Sequence, residues 1–254
     1  MTSAKPKRLY QQIAAILRSR IEAGDYPVGS RMPAERLIAE ELDISRTVVR
    51  EALILLEIEN RVEVRKGSGI YVIEPKEAAV EPSPEPYHDE LSAGPFEMIQ
   101  ARQLVESNIA EFAARQITKA GILELQEISA RSRAEDRYRD SDWDRRFHLG
   151  VASATQNSVL VYLVEKMWYQ RERNPMWRKL FDRIDNRESL ASWCDDHDAI
   201  LRALIRRDPV EARSAMWRHL ENTRQMLFDA STVEDGNEVD RYIFSDNPLQ
   251  DLDR

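Results

Sequence analysis

The hydrophobic period changes once within residues 9–73, from a helical to a strand-like spacing, and this change most constrains the fold. Apolar residues recur at helical spacing in three successive segments, which predicts three amphipathic helices. Pro33 suits the first turn of the second helix, and Ser45 suits the N-cap of the third. Residues 62–65 and 70–73 then alternate between apolar and polar side chains, which predicts a β-hairpin. Three helices followed by a two-stranded hairpin form a winged helix-turn-helix.

The third of these helices carries the residues best suited to reading DNA. In a helix-turn-helix, the second helix of the pair lies in the major groove and presents its N-terminal residues to the bases. Arg46, Thr47 and Arg50 are predicted to share the face opposite the apolar residues, and arginine pairs bidentately with guanine in the major groove. The preceding helix is predicted to bury Leu37 and Ile38. The predicted DNA contacts, which include the glycine-rich turn of the wing, are Arg36, Ser45, Arg46, Thr47, Arg50, Lys66, Gly67, Ser68 and Gly69.

A proline-rich acidic segment separates this region from a longer helical one. Five prolines between residues 75 and 95 interrupt any helix, which predicts an interdomain linker. Helical periods then follow one another without a strand pattern, with a break expected at Asn174-Pro175. The predicted fold class is therefore mainly α, with an N-terminal winged helix-turn-helix and a C-terminal all-α helical bundle. The predicted boundaries are 1–75 for the DNA-binding domain, 76–94 for the linker, 95–232 for the all-helical domain and 233–254 for the tail.

The composition narrows the classes of protein that fit this architecture. No apolar run reaches the roughly 18–20 residues of a membrane span, and the polar, basic N-terminus does not resemble a secretory signal. Cys194 is the only cysteine, so no internal disulfide is expected, which fits a reducing cytoplasm. The net charge is −8, yet residues 1–76 carry 13 Lys and Arg against 11 Asp and Glu. These features predict a cytoplasmic protein with a mildly basic head, an acidic body and no membrane partner.

Three of the four histidines occupy positions that suit a metal site. Asp144 and His148 are one turn apart on a predicted helix, so their side chains share a face. His197 follows an acidic pair on a later helix, and His219 lies on the last long helix. One carboxylate and three imidazoles suit Zn²⁺, Ni²⁺, Mn²⁺ or Fe²⁺, with coordination positions left for ligand oxygens. By their pattern alone, these histidines are equally compatible with buried structural residues.

Two regions of the chain resemble a known family of bacterial regulators. Residues 8–73 resemble the DNA-binding domain of GntR-type regulators through P-A-E-R-L from Pro33, S-R-T-V-V-R-E-A from Ser45 and R-K-G-S-G from Arg65. The aspartate and histidine pattern resembles the helical effector domain of the FadR subgroup. The resemblance implies a repressor that binds a palindromic DNA operator as a homodimer. It also implies a divalent metal, with Zn²⁺ preferred, held by Asp144, His148, His197 and His219.

Further runs resemble the hexuronate-utilisation repressors within that subgroup. They include G-P-F-E from Gly94, M-W-R-H-L-E-N from Met216 and R-Y-I-F from Arg241. This resemblance implies a uronic acid effector, such as galacturonate, glucuronate or a derived keto form, and implies that Arg102 contacts the ligand carboxylate. One alternative is the same fold sensing another small carboxylate. A second alternative is a metalloenzyme acting on a sugar acid. The attached winged helix-turn-helix and the lack of an evident general base argue against an enzyme.

Overall fold

The computed structural model describes residues 8–65, 67–75, 93–134, 142–184 and 186–231. Over these residues the chain forms ten helices and one two-stranded sheet. The elements are α1 (Leu9–Ala23), α2 (Glu35–Leu42), α3 (Arg46–Ile58), β1 (Val62–Arg65), β2 (Gly69–Val72), α4 (Pro95–Gln116), α5 (Lys119–Ala134), α6 (Trp143–Ala154), α7 (Ser158–Arg173), α8 (Pro175–Phe181), α9 (Asn186–Arg206) and α10 (Pro209–Ser231). The prediction of a mainly α fold with a small N-terminal sheet is confirmed.

Helix boundaries coincide with residues whose local chemistry favours them. Ser45 caps α3, because its Oγ accepts a hydrogen bond from the amide of Val48 at 3.4 Å. Asn174 caps α8 in the same way, since its Oδ1 accepts a hydrogen bond from the amide of Met176 at 2.8 Å. The chain leaves α7 before Asn174 and enters α8 after it. The break expected at Asn174-Pro175 is therefore confirmed.

Contacts among the described residues divide the chain into two compact units. The first comprises the described residues up to 96 together with 174–182 and 228–231, and the second comprises those of 97–173 and 183–227. The predicted linker is described only at residues 93 and 94, and the predicted tail lies outside the described residues. The domain boundaries given above therefore stay predictions.

The first unit contains a core built by α1, α2, α3 and the hairpin. Its buried residues include Ile13, Leu17, Ile38, Val49, Leu53, Leu56, Val62 and Val72. The two strands pair antiparallel, with Val62 opposite Val72. Leu37 is 48% exposed, so the expectation that α2 buries it is wrong. Successive residues on a helix are turned by about 100°, and in α2 it is Ile38 that faces the core.

The second unit is helical throughout its described residues. Within it α5 packs against α6 and α9, and α6 packs against α7. Its interior holds large apolar side chains, among them Phe147, Trp168 and Ile200, but also the ionisable side chains of Arg102 and Glu106. No helix in the described part of the chain is long and apolar enough to cross a membrane. The buried ionisable groups point to a functional site in this unit, because charged side chains are rarely buried without a partner.

Candidate functional site

The second unit brings the four predicted metal ligands together. Asp144 and His148 lie one turn apart on α6, His197 lies on α9 and His219 lies on α10. Each residue offers one ligand atom, and these four atoms all lie within 4.8 Å of one another. The three imidazoles are buried, whereas 26% of the Asp144 side chain is exposed. Tertiary packing thus converts residues spread over three helices into one cluster.

The spacing of these atoms fits a divalent cation. Asp144 Oδ1 lies 3.5 Å from His148 Nε2 and 3.4 Å from His197 Nε2, and His148 Nε2 lies 3.1 Å from His219 Nε2. Metal–ligand bonds of about 2.0–2.1 Å place neighbouring ligand atoms about 2.9–3.4 Å apart. Asp144 Oδ1 and His197 Nε2 are buried and have no hydrogen-bond partner among the described residues. Buried polar atoms rarely lack a partner, so a cation between them accounts for both.

The electrostatics of the cluster also favour a cation. Burial lowers the pKa of His197 to about 3 and lowers the pKa of His219, so both rings are neutral at pH 7. Burial would raise the pKa of Asp144, but its contacts with His148, His197 and Arg171 hold that pKa well below the ordinary value. A carboxylate beside neutral imidazoles is the protonation state that metal binding requires. For His148, burial is outweighed by Glu106 and Asp144, which raise its pKa.

Arg102, the predicted ligand contact on α4, is buried next to this cluster. Only 2% of its side chain is exposed, and its Nε donates a hydrogen bond to Glu106 Oε1 at 2.7 Å. Its guanidinium carbon lies 4.4 Å from the centre of the Trp168 ring. Its two terminal nitrogens make no hydrogen bond to the described residues. A guanidinium held by Nε alone presents its terminal fork to a bidentate acceptor such as a carboxylate.

A second arginine, Arg171 on α7, lies beside the predicted metal ligand Asp144. Its Nη2 is 3.4 Å from Asp144 Oδ2, and its guanidinium carbon is 4.2 Å from the centre of the Trp168 ring. Burial lowers the pKa of Arg171 to about 10, against the opposing effect of Asp144. Arg171 and Arg102 therefore share one aromatic platform, and each holds one oxygen of a carboxylate whose other oxygen faces the imidazoles.

Sequence reasoning did not assign a role to Trp168, Arg171 or Asp196. Asp196 Oδ2 lies 3.5 Å from His219 Nδ1, and Asn222 Nδ2 donates a hydrogen bond to that oxygen at 3.0 Å. The acidic pair before His197 was the only signal in the sequence for Asp196. An arginine and a tryptophan three residues apart on a charged helix carry no such signal, because most such faces are exposed to solvent.

The predicted DNA contacts of the first unit differ in exposure. Arg36, Ser45 and Thr47 are exposed, and Arg46 is half-buried near Glu35. Arg50 is buried rather than placed on an exposed face: its Nη2 lies 2.6 Å from Glu35 Oε2, and its guanidinium lies against Phe228 of the same unit, 4.1 Å from the ring centre. The expectation that Arg50 shares an exposed face with Arg46 and Thr47 is therefore not met by the structure.

The turn of the wing is built around glycine. Gly67 and Ser68 are exposed, and Gly69 is buried. Gly69 has a φ of 117°, and a Cβ added there would lie 2.4 Å from Arg31 Nε. Only glycine fits this position without a shift of its neighbours. Lys66, the remaining predicted contact of the wing, lies outside the described residues.

Comparison with known proteins decides the family. Residues 9–72 match the bacterial regulatory proteins of the gntR family, and residues 97–222 match the FCD domain. The Exu regulon transcriptional regulator of Escherichia coli strain K12 is 54% identical, over 100% of this chain and 97% of its own length. The chain belongs to the GntR family of regulators. It is a DNA-binding transcriptional regulator and not an enzyme, as the sequence predicted.

Two further relatives of this GntR-family regulator carry related names. The Uxu operon transcriptional regulator of Escherichia coli strain K12 is 44% identical, over 99% of each chain. The Uxu operon regulator of Haemophilus influenzae is also 44% identical, over 95% of this chain and 90% of its own. The gntR match coincides with the winged helix-turn-helix. The FCD match contains the whole cluster of Asp144, His148, His197 and His219.

Proposed function

We propose that this GntR-family regulator is a hexuronate-responsive repressor, released from its operator when a uronic acid binds the second unit beside a divalent metal. The observation that carries the proposal is Arg102, a buried arginine anchored through Nε, whose terminal nitrogens make no hydrogen bond to the described residues, next to four metal-ligand side chains. The names of the relatives, which refer to the Exu regulon and the Uxu operon, support the choice of effector. The resemblance to hexuronate-utilisation repressors supports the same choice of effector.

The buried arginine of the second unit favours an effector that carries a carboxylate. Arg102 is buried, with 2% of its side chain exposed, and a divalent cation at the four ligand atoms would lie close to it. A guanidinium and a cation both bind a carboxylate more strongly than a neutral oxygen. A monocarboxylate such as galacturonate or glucuronate supplies this group, and a neutral sugar does not.

The residues of the site have distinct roles in this proposal. Asp144, His148, His197 and His219 hold the cation; Zn²⁺ is the first choice, and Ni²⁺, Mn²⁺ and Fe²⁺ suit the same ligands. When bound, the cation offers open positions to the effector carboxylate and an adjacent hydroxyl or keto oxygen. Arg102 pairs with the same carboxylate through its terminal nitrogens. The preference for a carboxylate thus comes from Arg102 on α4 together with the cation.

The repressor is proposed to act on a palindromic operator as a homodimer. Two recognition helices must reach successive major grooves about 34 Å apart, which a dimer achieves. One face of α7 supports this, because its apolar side chains are exposed: Val159, Tyr162, Leu163 and Tyr169. A two-fold interface uses the same surface patch on both subunits, and an exposed apolar face suits such a patch. The proposed DNA contacts are those named from the sequence without Arg50, which is buried against Glu35, and they begin with Arg46 and Thr47 at the start of α3.

The test is a gel shift on an operator selected from DNA fragments that the pure protein retains. Galacturonate, glucuronate and their keto isomers are added to the protein–DNA complex, with a neutral hexose as the control. A coupling free energy of about 1–3 kcal/mol would weaken DNA binding about 5–150-fold. If no uronic acid weakens the complex while another small carboxylate does, the effector assignment is wrong and the fold senses that other carboxylate.

A further inference from the structure

Glu106 on α4 links the proposed ligand contact to the proposed metal site. Its side chain is buried, with 2% exposed. Oε1 accepts the hydrogen bond from Arg102 Nε at 2.7 Å, and Oε2 contacts Nδ1 of His148. We propose that Glu106 is a positioning residue, which holds the ring of His148 for metal binding and connects that ring to Arg102.

The two nitrogens of His148 face different partners. Nε2 lies 3.5 Å from Asp144 Oδ1 and 3.1 Å from His219 Nε2, on the side where the ligand atoms converge. Nδ1 faces the Glu106 carboxylate on the opposite side of the ring. A carboxylate at Nδ1 selects the tautomer with the proton on Nδ1, which leaves the Nε2 lone pair free for a cation. Glu106 therefore determines both which nitrogen binds the metal and where the ring points.

Asp196 is the corresponding carboxylate beside His219, but its contact with that ring is longer than the contact of Glu106 with His148. Asp196 Oδ2 lies 3.5 Å from His219 Nδ1, and His219 Nδ1 has no hydrogen-bond partner among the described residues. Asp196 is also partly exposed, with 20% of its side chain accessible. Outer carboxylates that orient a ligating histidine typically change metal affinity about 10–100-fold. We expect the full effect at Glu106 and a smaller one at Asp196.

Glu106 also connects two binding events. Because one carboxylate serves both Arg102 and His148, an anion that draws Arg102 toward itself alters the partner of the His148 ring. The affinity for the metal and the affinity for the effector are then coupled, and such coupling is reciprocal. This inference rests on the metal site of the proposed function, but not on the identity of the effector.

The experiment measures Zn²⁺ affinity of the full-length protein by competition with a chromophoric chelator. Glu106→Gln keeps the size of the side chain, but its single carbonyl oxygen cannot accept hydrogen bonds at both former positions. The matched control is Glu111→Gln, on the same helix, whose carboxylate pairs at 2.8 Å with the exposed Arg115. We expect Glu106→Gln to bind Zn²⁺ about 10–100-fold more weakly and Glu111→Gln to match the wild type.

The outcomes separate this inference from the proposed function. If the wild type binds no Zn²⁺ and no other divalent cation, the metal site itself fails. If the wild type binds Zn²⁺ and a folded Glu106→Gln protein binds it equally well, the positioning role is overturned while the metal site stands. A second measurement needs no variant: nitrogen NMR of the Zn²⁺-loaded wild type should show His148 protonated at Nδ1. Metal bound at Nδ1 would overturn the inference even if Glu106→Gln fails to fold.

Discussion

The terminal fork of Arg102 makes a specific prediction for Arg102→Lys. Lysine keeps the positive charge, so it can still neutralise Glu106, which lies 2.7 Å from Arg102 Nε. It cannot at the same time offer two parallel N–H donors to an effector carboxylate, because its ammonium is a single point charge. The variant should therefore fold, hold metal and bind the operator, yet respond poorly to the effector.

The magnitude follows from the burial of the site. A hydrogen bond to a charged group contributes about 1.5–3 kcal/mol, and only 2% of the Arg102 side chain is exposed. Losing one such bond raises the effector concentration needed for release about 10–150-fold, at about 1.4 kcal/mol for each factor of ten. Loss of the stacking of the guanidinium on Trp168, at 4.4 Å, adds to this effect.

The assay is a titration of the operator complex with galacturonate and glucuronate, followed by fluorescence anisotropy of labelled DNA. Arg115→Lys is the matched control, because Arg115 lies on the same helix and its side chain is 57% exposed. The control should release DNA at the wild-type effector concentration. If Arg102→Lys also releases DNA at that concentration while its effector-free affinity is unchanged, Arg102 does not contact the effector carboxylate.

Four further predictions follow from the described residues. Arg46→Ala should weaken operator binding by about 1–3 kcal/mol in a gel shift; unchanged affinity would exclude Arg46 as a base contact. Zn²⁺ affinity should fall as the pH drops from about 8 to about 5.5, because Glu106 and Asp144 raise the pKa of His148 and its protonated form competes with the metal. A pH-independent affinity over this range would contradict that competition. Tyr162→Glu, on the exposed apolar face of α7, should shift the protein from dimer to monomer in size-exclusion chromatography with light scattering; a dimer of wild-type stability would place the interface elsewhere. Leu53→Ala should lower the free energy of unfolding by about 2–5 kcal/mol in a urea melt, because Leu53 is 2% exposed. Leu37→Ala should lower it far less, because Leu37 is 48% exposed. Equal losses of stability would contradict the exposure of Leu37.

Local patterns in the sequence were sufficient for the elements of the fold. The period of apolar residues predicted the helices and the hairpin, and the caps at Ser45 and Asn174 lie where the chain begins α3 and α8. These features depend on residues within about one or two turns of one another, so they can be read without knowing what packs against them. For the same reason the sequence was enough to predict that Asp144 and His148 share a helix face, because they are four residues apart.

Only the tertiary structure decided which distant residues come together and which charged side chains are buried. His197 and His219 join Asp144 and His148 only in the folded chain, where one ligand atom of each lies within 4.8 Å of the others although α9 and α10 are distant from α6 in sequence. Arg50 is buried because Glu35 and Phe228 surround it, and Trp168 becomes a platform only once α4 and α7 bring two arginines to it. Burial and partner choice depend on residues distant in sequence. A single helix pattern therefore determines which face is apolar, but not which of its charged side chains ends in solvent and which in a buried site.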